Sequence, residues 1–460
     1  MTRRQFMGTC AGAVAAAGAA GTWQRWEQRP QHRAPFANRH HPVRKDASNI
    51  VVILADDLGC GDVGYHPGCS KDVRTPNIDA LAGSGAWFSA GYVCSPVCGP
   101  SRAGLLTGMY PHRSGFEFNP PPGRHKGVPA GLPTDVPTLA ERLQAAGYAT
   151  GMFGKWHLGE APQFRPNARG FDEFFGFTDG SRSYWDKSRA RDRDVPLVRD
   201  EELVHDTDYL TDTLAREAEG FIDRHQNESF FLYVPFNAVH SPYDDPPQMY
   251  LDRFKDVPEA GRRTMLAMIG AMDDGVGRIM ARLRDSGIEE RTLVFFLSDN
   301  GGAGGAKGSR NGRLRRGKGA TFEGGVRIPF AVRWPVKIEP ARFDKPVSAL
   351  DITPTALALA GVKVDGLDGV DLLPFLSGED PASPHDMLCW RYGERKAIRK
   401  AHWKWVDDGE LGQGLFDLDN DPAEIHDLSA QHPEVLRDLQ AEWQRWSARM
   451  KPPAWKMPEV

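Results

Sequence analysis

The chain has 460 residues, with 57 Lys and Arg against 61 Asp and Glu and a formal net charge of −4. That length suits one large domain plus a smaller one, and the near balance of charge excludes a nucleic-acid binder held by overall positive charge, so any anion site must be local. Uninterrupted apolar runs stop short of the ~20 residues that span a bilayer, so no nucleic-acid partner and no stable membrane insertion are expected.

In chain order, residues 1–19 open on Arg3 and Arg4, then Phe6 and an Ala/Gly stretch ending at Ala17-Gly18-Ala19. This is the pattern of a twin-arginine signal peptide and predicts a periplasmic or secreted protein. Cys10 falls inside it; five of the six cysteines remain, and Cys60 and Cys69 are near enough in sequence to pair. Residues 20–46 are polar, basic and aperiodic, a flexible lead-in. A catalytic domain is expected over 47–384 and a small C-terminal domain over 385–460.

From Ser48 onwards, short apolar runs alternate with helical periods. Residues 50–55, 148–153, 230–236, 292–297 and 328–334 are continuous apolar stretches of strand length, the form taken by strands buried on both faces. Between them, Thr75-Pro76 starts one helix and Leu139 and Leu143 belong to another. Met265, Ile269, Met272, Val276, Ile279 and Leu283 line a long third helix ending at Gly287. Beyond 385 the sequence reads as short strands and then a helix over 433–450 with Val435, Leu436, Leu439, Trp443 and Trp446 on one side. The fold class that follows is α/β: a large, mostly parallel sheet sandwiched by helices, with a small C-terminal α+β domain.

Chemistry gathers at the strand ends, where open parallel sheets bind their ligands. Asp56 and Asp57 follow the first strand directly. Asp273-Asp274 falls in a helix, and Asp244-Asp245 and Asp407-Asp408 in polar loops, so only the first Asp pair follows a buried strand. Asp299 and Asn300 follow another. Three carboxylates and an amide oxygen suit a hard cation such as Ca2+, with a solvated turn as the alternative for each pair. Lys155 and His157, two apart after a third strand, can address one ligand; His240 follows a fourth, and Lys318 sits in a Gly-rich loop. In the segment Cys94 to Arg102, a short helix is expected from about Cys98 to a stop at Gly108. Its N-terminal N–H groups favour an anion at Cys98, with Arg102 one turn on. Cys94 has no such guanidinium.

Cys98-Gly99-Pro100-Ser101-Arg102, continued by AGLLTGMYPHR, resembles the Cys-x-Pro-x-Arg signature of the formylglycine-dependent type I sulfatases, arylsulfatase-like members of the alkaline phosphatase superfamily. The resemblance extends through VVILADDLGCGD, TPNIDALAGSG, GMFGKWHLG, FLSDNGG, GKGATFEGGVRIP, DITPTALALAG and LFDLDNDPAEIHDL, across about residues 48–430. It implies a sulfuric ester hydrolase in which Cys98 is oxidised to formylglycine by a formylglycine-generating enzyme. Ca2+ would be held by Asp56, Asp57, Asp299, Asn300 and an oxygen of residue 98. Arg102 and His157 would hold the nucleophile, with His157 as base. Lys155, His240 and Lys318 would grip the substrate, with His240 as acid. Ser181 is the nearest candidate for a further serine near the sulfate. A phosphonate or phosphate ester hydrolase of the same superfamily and a non-catalytic binder of sulfated glycans are the alternatives. Arg310, Arg313, Arg315 and Arg316 beside Lys318 either guide a polyanion, which points to a sulfated carbohydrate as substrate, or form a solvated basic loop.

Overall fold

Alternation within one strand divides the interior. In β1 (Asn49–Ala55), Ile50, Val52 and Leu54 join one hydrophobic core while Val51, Ile53 and Ala55 join a second, so the strand is buried on both faces. The computed structural model describes residues 44–121, 124–125, 128–186, 195–206, 208–304 and 308–456. The signal-peptide reading of 1–19 and most of the lead-in lie outside them.

The main sheet adds β2 (Ala86–Phe88), β3 (Ala149–Lys155), β4 (Glu173–Phe177), β5 (Leu197–Arg199) and β6 (Glu202–Val204), then β7 (Phe230–Pro235), β8 (Thr292–Ser298), β9 (Phe330–Arg333) and β10 (Ala341–Phe343). Its ten strands run in the order β10-β2-β9-β8-β1-β7-β3-β4-β5-β6. The middle five, β8-β1-β7-β3-β4, are mutually parallel. Towards the edges β9 and β5 turn antiparallel to their inner neighbours, and the apolar run at 328–334 carried no sign of that reversal. Helices cover both faces. α1 (Pro76–Gly83), α4 (Leu210–His225) and α5 (Ala260–Asp285) pack on one, and α2 (Cys98–Thr107), α3 (Leu139–Ala145) and α6 (Ile352–Leu359) on the other. All six apolar positions expected along α5 are buried.

Four further strands, β11 (Met387–Tyr392), β12 (Arg395–Lys400), β13 (Trp403–Asp407) and β14 (Gln413–Asp417), form an antiparallel meander followed by α7 (Pro433–Ser447). Trp390, Ala397, Val406 and Phe416 face the main core. Cys389, Ile398, Trp405 and Leu415 face α7 and its Leu439, Trp443 and Trp446. The small sheet is therefore cemented to the large one by its own alternation. Cys60 and Cys69 are both free, and the Cys60 thiol instead points at the Arg327 carbonyl at 3.6 Å. The pairing considered from their spacing is not formed.

Candidate active site

Four of the five central parallel strands deliver a polar group at their carboxyl ends. β1 ends in Asp56 and Asp57, β8 leads into Asp299 and Asn300, β3 ends in Lys155 with His157 beyond, and the loop after β7 carries His240. Asp57 and His157 have φ values of 65° and 62°. This left-handed backbone is rare for residues with side chains and concentrates at functional sites.

Cys98 opens α2 and lies in the middle. Its Sγ is 3.5 Å from Asp56 Oδ1 and 3.2 Å from Lys318 Nζ. The Gly99 N–H donates to Asn119 Oδ1 at 2.8 Å, which anchors the helix start. Burial pushes the Cys98 thiol up to about 12 despite Lys155 and Lys318, so as a thiol it stays protonated. Cys94 lies away from this cluster, its sulfur packed so tightly that a Cβ on Gly104 would sit 2.2 Å from it. Its role is in the core.

Around Cys98 the charges interlock. Lys155 Nζ lies 2.6 Å from Asp56 Oδ2, both fully buried. Lys318 Nζ lies 2.7 Å from Asp57 Oδ1, and His240 Nε2 is 3.7 Å from Asp57 Oδ2. Arg102 donates from Nε and an Nη to Asp299 Oδ2 at 2.9 and 2.8 Å, and from its other Nη to the Lys155 carbonyl at 2.8 Å. Its guanidinium thus braces two walls of the site. Burial raises the Asp299 carboxyl to about 6, with Asp56 adding to the rise and Arg102 opposing it. Burial likewise works against ionised Asp57, but Lys318 and then His240 outweigh it and hold that carboxyl well below the usual range.

Both histidines are neutral. Burial, then Lys155 and Arg102, pushes His157 well below its ordinary value, and its Nδ1 is buried without a partner. Burial takes His240 to about 3, against the pull of Asp57. His240 Nδ1 donates to the Ser241 carbonyl at 2.6 Å, which leaves Nε2 towards Asp57. Ser181 hydrogen-bonds that same carbonyl at 2.8 Å, so its hydroxyl supports the His240 segment.

The oxygen donors at the site, the Asp56 and Asp57 carboxylates and the Asn300 amide oxygen, fit a hard cation. Asp56, Asp57, Cys98 and His240 each offer an atom within 4.8 Å of the others. Asn300 donates from Nδ2 to Asp57 Oδ1 at 2.7 Å and leaves its own Oδ1 buried with no partner, an oxygen able to serve as a ligand. Asp299 joins through the Asp57 N–H, which donates to its Oδ1 at 3.2 Å.

The ten residues assigned to the site from the sequence meet here, and Ser181, the further serine considered, stands one carbonyl away. Sequence reasoning missed Asn119, which holds the start of α2, and Gly180, where a Cβ would lie 2.6 Å from His157 Nε2. It also passed over Asp408, dismissed as a loop acid yet 1% exposed. No local pattern marks any of the three. Of the arginines near Lys318, Arg315 and Arg316 donate to the carbonyls of Glu424 and Leu411, both at 2.8 Å.

Residues 48–362 match the family model described as Sulfatase, and residues 317–449 match that of N-sulphoglucosamine sulphohydrolase, C-terminal. The chain is 36% identical over 399 residues to an N-acetylgalactosamine-6-sulfatase of Canis lupus familiaris, covering 80% of this chain and 74% of that one. It is 35% identical to arylsulfatase A of Bos taurus over 434 residues, covering 85% and 81%. Among solved structures, Ps i-CgsB in complex with k-i-k-neocarrahexaose superposes with a TM-score of 0.83 at 38% identity, covering 90% of this chain and 95% of that one.

Proposed function

From the premise that this chain belongs to the sulfatase family and is a sulfuric ester hydrolase, we propose that it removes sulfate from a sulfated carbohydrate, using formylglycine at position 98 and a bound Ca2+. The observation that carries the reading is the setting of Cys98. Its thiol is buried among Asp56, Lys155 and Lys318 and pushed up to about 12, so it is a poor nucleophile as it stands. When formed, a hydrated aldehyde here supplies two hydroxyls, one to take the sulfuryl group and one whose deprotonation releases it, while the cation neutralises charge on the transferred group. Asp56, Asp57, Asp299 and Asn300 Oδ1 would hold that ion together with an oxygen of residue 98.

The remaining groups divide the work. Lys155 and Lys318 bring fixed positive charge to the sulfate oxygens. Arg102 keeps Asp299 and the Lys155 backbone in place. Neutral His157, with a free Nδ1, accepts a proton from residue 98, and His240, its side chain 18% exposed, takes a proton from solvent at Nε2 before giving it to the leaving oxygen as acid. A carbohydrate polyanion is favoured by an open groove of about 710 Å3, lined in part by Lys71, Arg310 and Arg316. Its Ser309 Oγ lies 3.5 Å from the Asp57 carbonyl oxygen, so the groove borders the metal-binding acids. Among the described residues no helix is long and apolar enough to cross a membrane. Export by the Arg3-Arg4 segment and maturation by a formylglycine-generating enzyme belong to the same proposal.

Mass spectrometry of the peptide spanning residues 94–102 tests it. The expected result is an aldehyde at position 98 with Cys94 unchanged, and turnover of aryl sulfate far above that of an aryl phosphonate. Full activity from a chain carrying only the thiol, or a preference for the phosphonate, would sink the reading.

A further inference from the structure

Lys318 comes to the site from a short loop in which its own N–H donates to the Gly302 carbonyl at 3.1 Å and the Ala320 N–H closes a turn on the Gly317 carbonyl at 3.0 Å. Glycines flank it at 317 and 319, Gly319 has φ 85°, and the lysine stem adds several free torsions. Yet its ammonium group has to sit between Asp57 and residue 98. Beyond these two bonds, the residues after Lys318 are held from outside the loop. On one side the Gly319 N–H donates to the Pro96 carbonyl at 2.8 Å, two residues before Cys98. On the other, the C-terminal sheet takes hold. Arg395 on β12 donates to the Gly319 carbonyl, and the Thr321 N–H and hydroxyl both donate to Asp408 Oδ2, at 2.5 and 3.0 Å. Arg395 Nε lies 3.2 Å from Asp408 Oδ1, which makes the two clamps one unit. Next along, the Glu323 N–H donates to Glu424 Oε2 at 2.7 Å. Asp408 is buried, so its bonds to Thr321 are charge-assisted and shielded from water.

We propose that Asp408 and Arg395 are positioning residues for sulfate transfer: through Thr321 and Gly319 they fix the loop that aims Lys318 at residue 98. This rests on the reading of Lys318 as a sulfate-binding group. An amide at 408 keeps the shape but loses the charge that pairs with Arg395 and strengthens the two bonds from Thr321.

The test is a double-mutant cycle on the full-length enzyme. D408N is expected to lower kcat/KM for an aryl sulfate by roughly 10- to 100-fold, the cost of a small misplacement in a preorganised site. It should weaken inhibition by inorganic sulfate in parallel, with the secondary-structure content unchanged. In a K318A background the same substitution should cost less than about 2-fold, because the group it positions is gone. D407N alters the neighbouring half-buried acid, whose partner is Lys396 at 3.4 Å, and should leave activity within about 2-fold of the parent. If D408N fails to fold, T321V removes one bond to the carboxylate and carries the same cycle with a smaller factor. An impaired K318A enzyme in which D408N or T321V still costs its full factor overturns the proposal alone. A K318A enzyme with undiminished activity removes the reading of Lys318 beneath it, and the proposal falls with that reading.

Discussion

The imidazole of His157 shows how closely single residues are fitted here. Its backbone is left-handed at φ 62°, its Nδ1 is unpartnered, and Gly180 lies flat against its ring. A methyl group at 180 would stand 2.6 Å from Nε2, closer than real contacts allow, so the ring has to move. G180A is therefore expected to cut kcat by about 10²-fold while shifting the melting temperature little, because the backbone at 180 is not left-handed and accepts alanine. Steady-state kinetics and a thermal melt on one sample check both halves; unchanged kcat would show that the position of His157 is immaterial. At this scale the sequence was informative wherever chemistry is carried by a residue type at a strand end, as with Asp56, Asp57, Lys155 and Asp299. It was silent wherever a residue matters through what it leaves room for, as at Gly180, or through one long-range contact, as at Asn119.

Among the elements, α4 ends on His225, whose Nε2 and Nδ1 lie 2.8 and 2.5 Å from Glu173 and Glu228 carboxylates. Burial opposes its charge, but Glu173 and Glu228 prevail and raise its folded value above 6.5. The stabilisation is thus complete below pH 6.5 and lost as pH rises through the higher folded value. For a cation at a helix C-terminus, roughly 1 kcal/mol is at stake. Because buried His157 and His240 shift stability the opposite way, the readout is the variant against the parent: H225Q should lose more melting temperature at pH 6 than at pH 8, and an equal loss at both would refute the assignment. Element by element, the long runs of β1, β3, β7 and β8 and the period of α5 were legible because both faces of those strands and a full face of that helix are buried. The edge pair Leu197–Arg199 and Glu202–Val204 was not, being short and partly exposed. The antiparallel direction of β9 depends on how the chain returns from the glycine-rich loop, which periodicity does not encode.

For the whole molecule, the acids at the centre are a source of strain that two lysines and an arginine only partly relieve, with Asp299 still raised to about 6 by burial and by Asp56. A cation that binds the folded state alone adds stability by mass action, about 2.7 kcal/mol at a hundred times its dissociation constant. Chelation should accordingly lower the melting temperature and added Ca2+ should restore it, with Mg2+ less effective because it demands a tighter octahedral shell. Melts across a metal series would show this, and a chelator-insensitive transition would argue against the ion. The site as a whole was legible because its groups recur after successive strands of one parallel sheet, a rule that converts sequence order into proximity. Its support from the C-terminal sheet was not. Asp408, Arg395 and Glu424 contact the Lys318 loop from 76 or more positions away, and Asp408 is spelled like any turn acid before a glycine.

That support also dictates when a newly made chain can first work. Ribosomes deliver the acids, Cys98 and the histidines early, but the struts beneath Lys318 emerge only with the last part of the polypeptide. A nascent or prematurely terminated product would lack both those struts and part of the core beneath the main sheet, so competence is coupled to finishing translation.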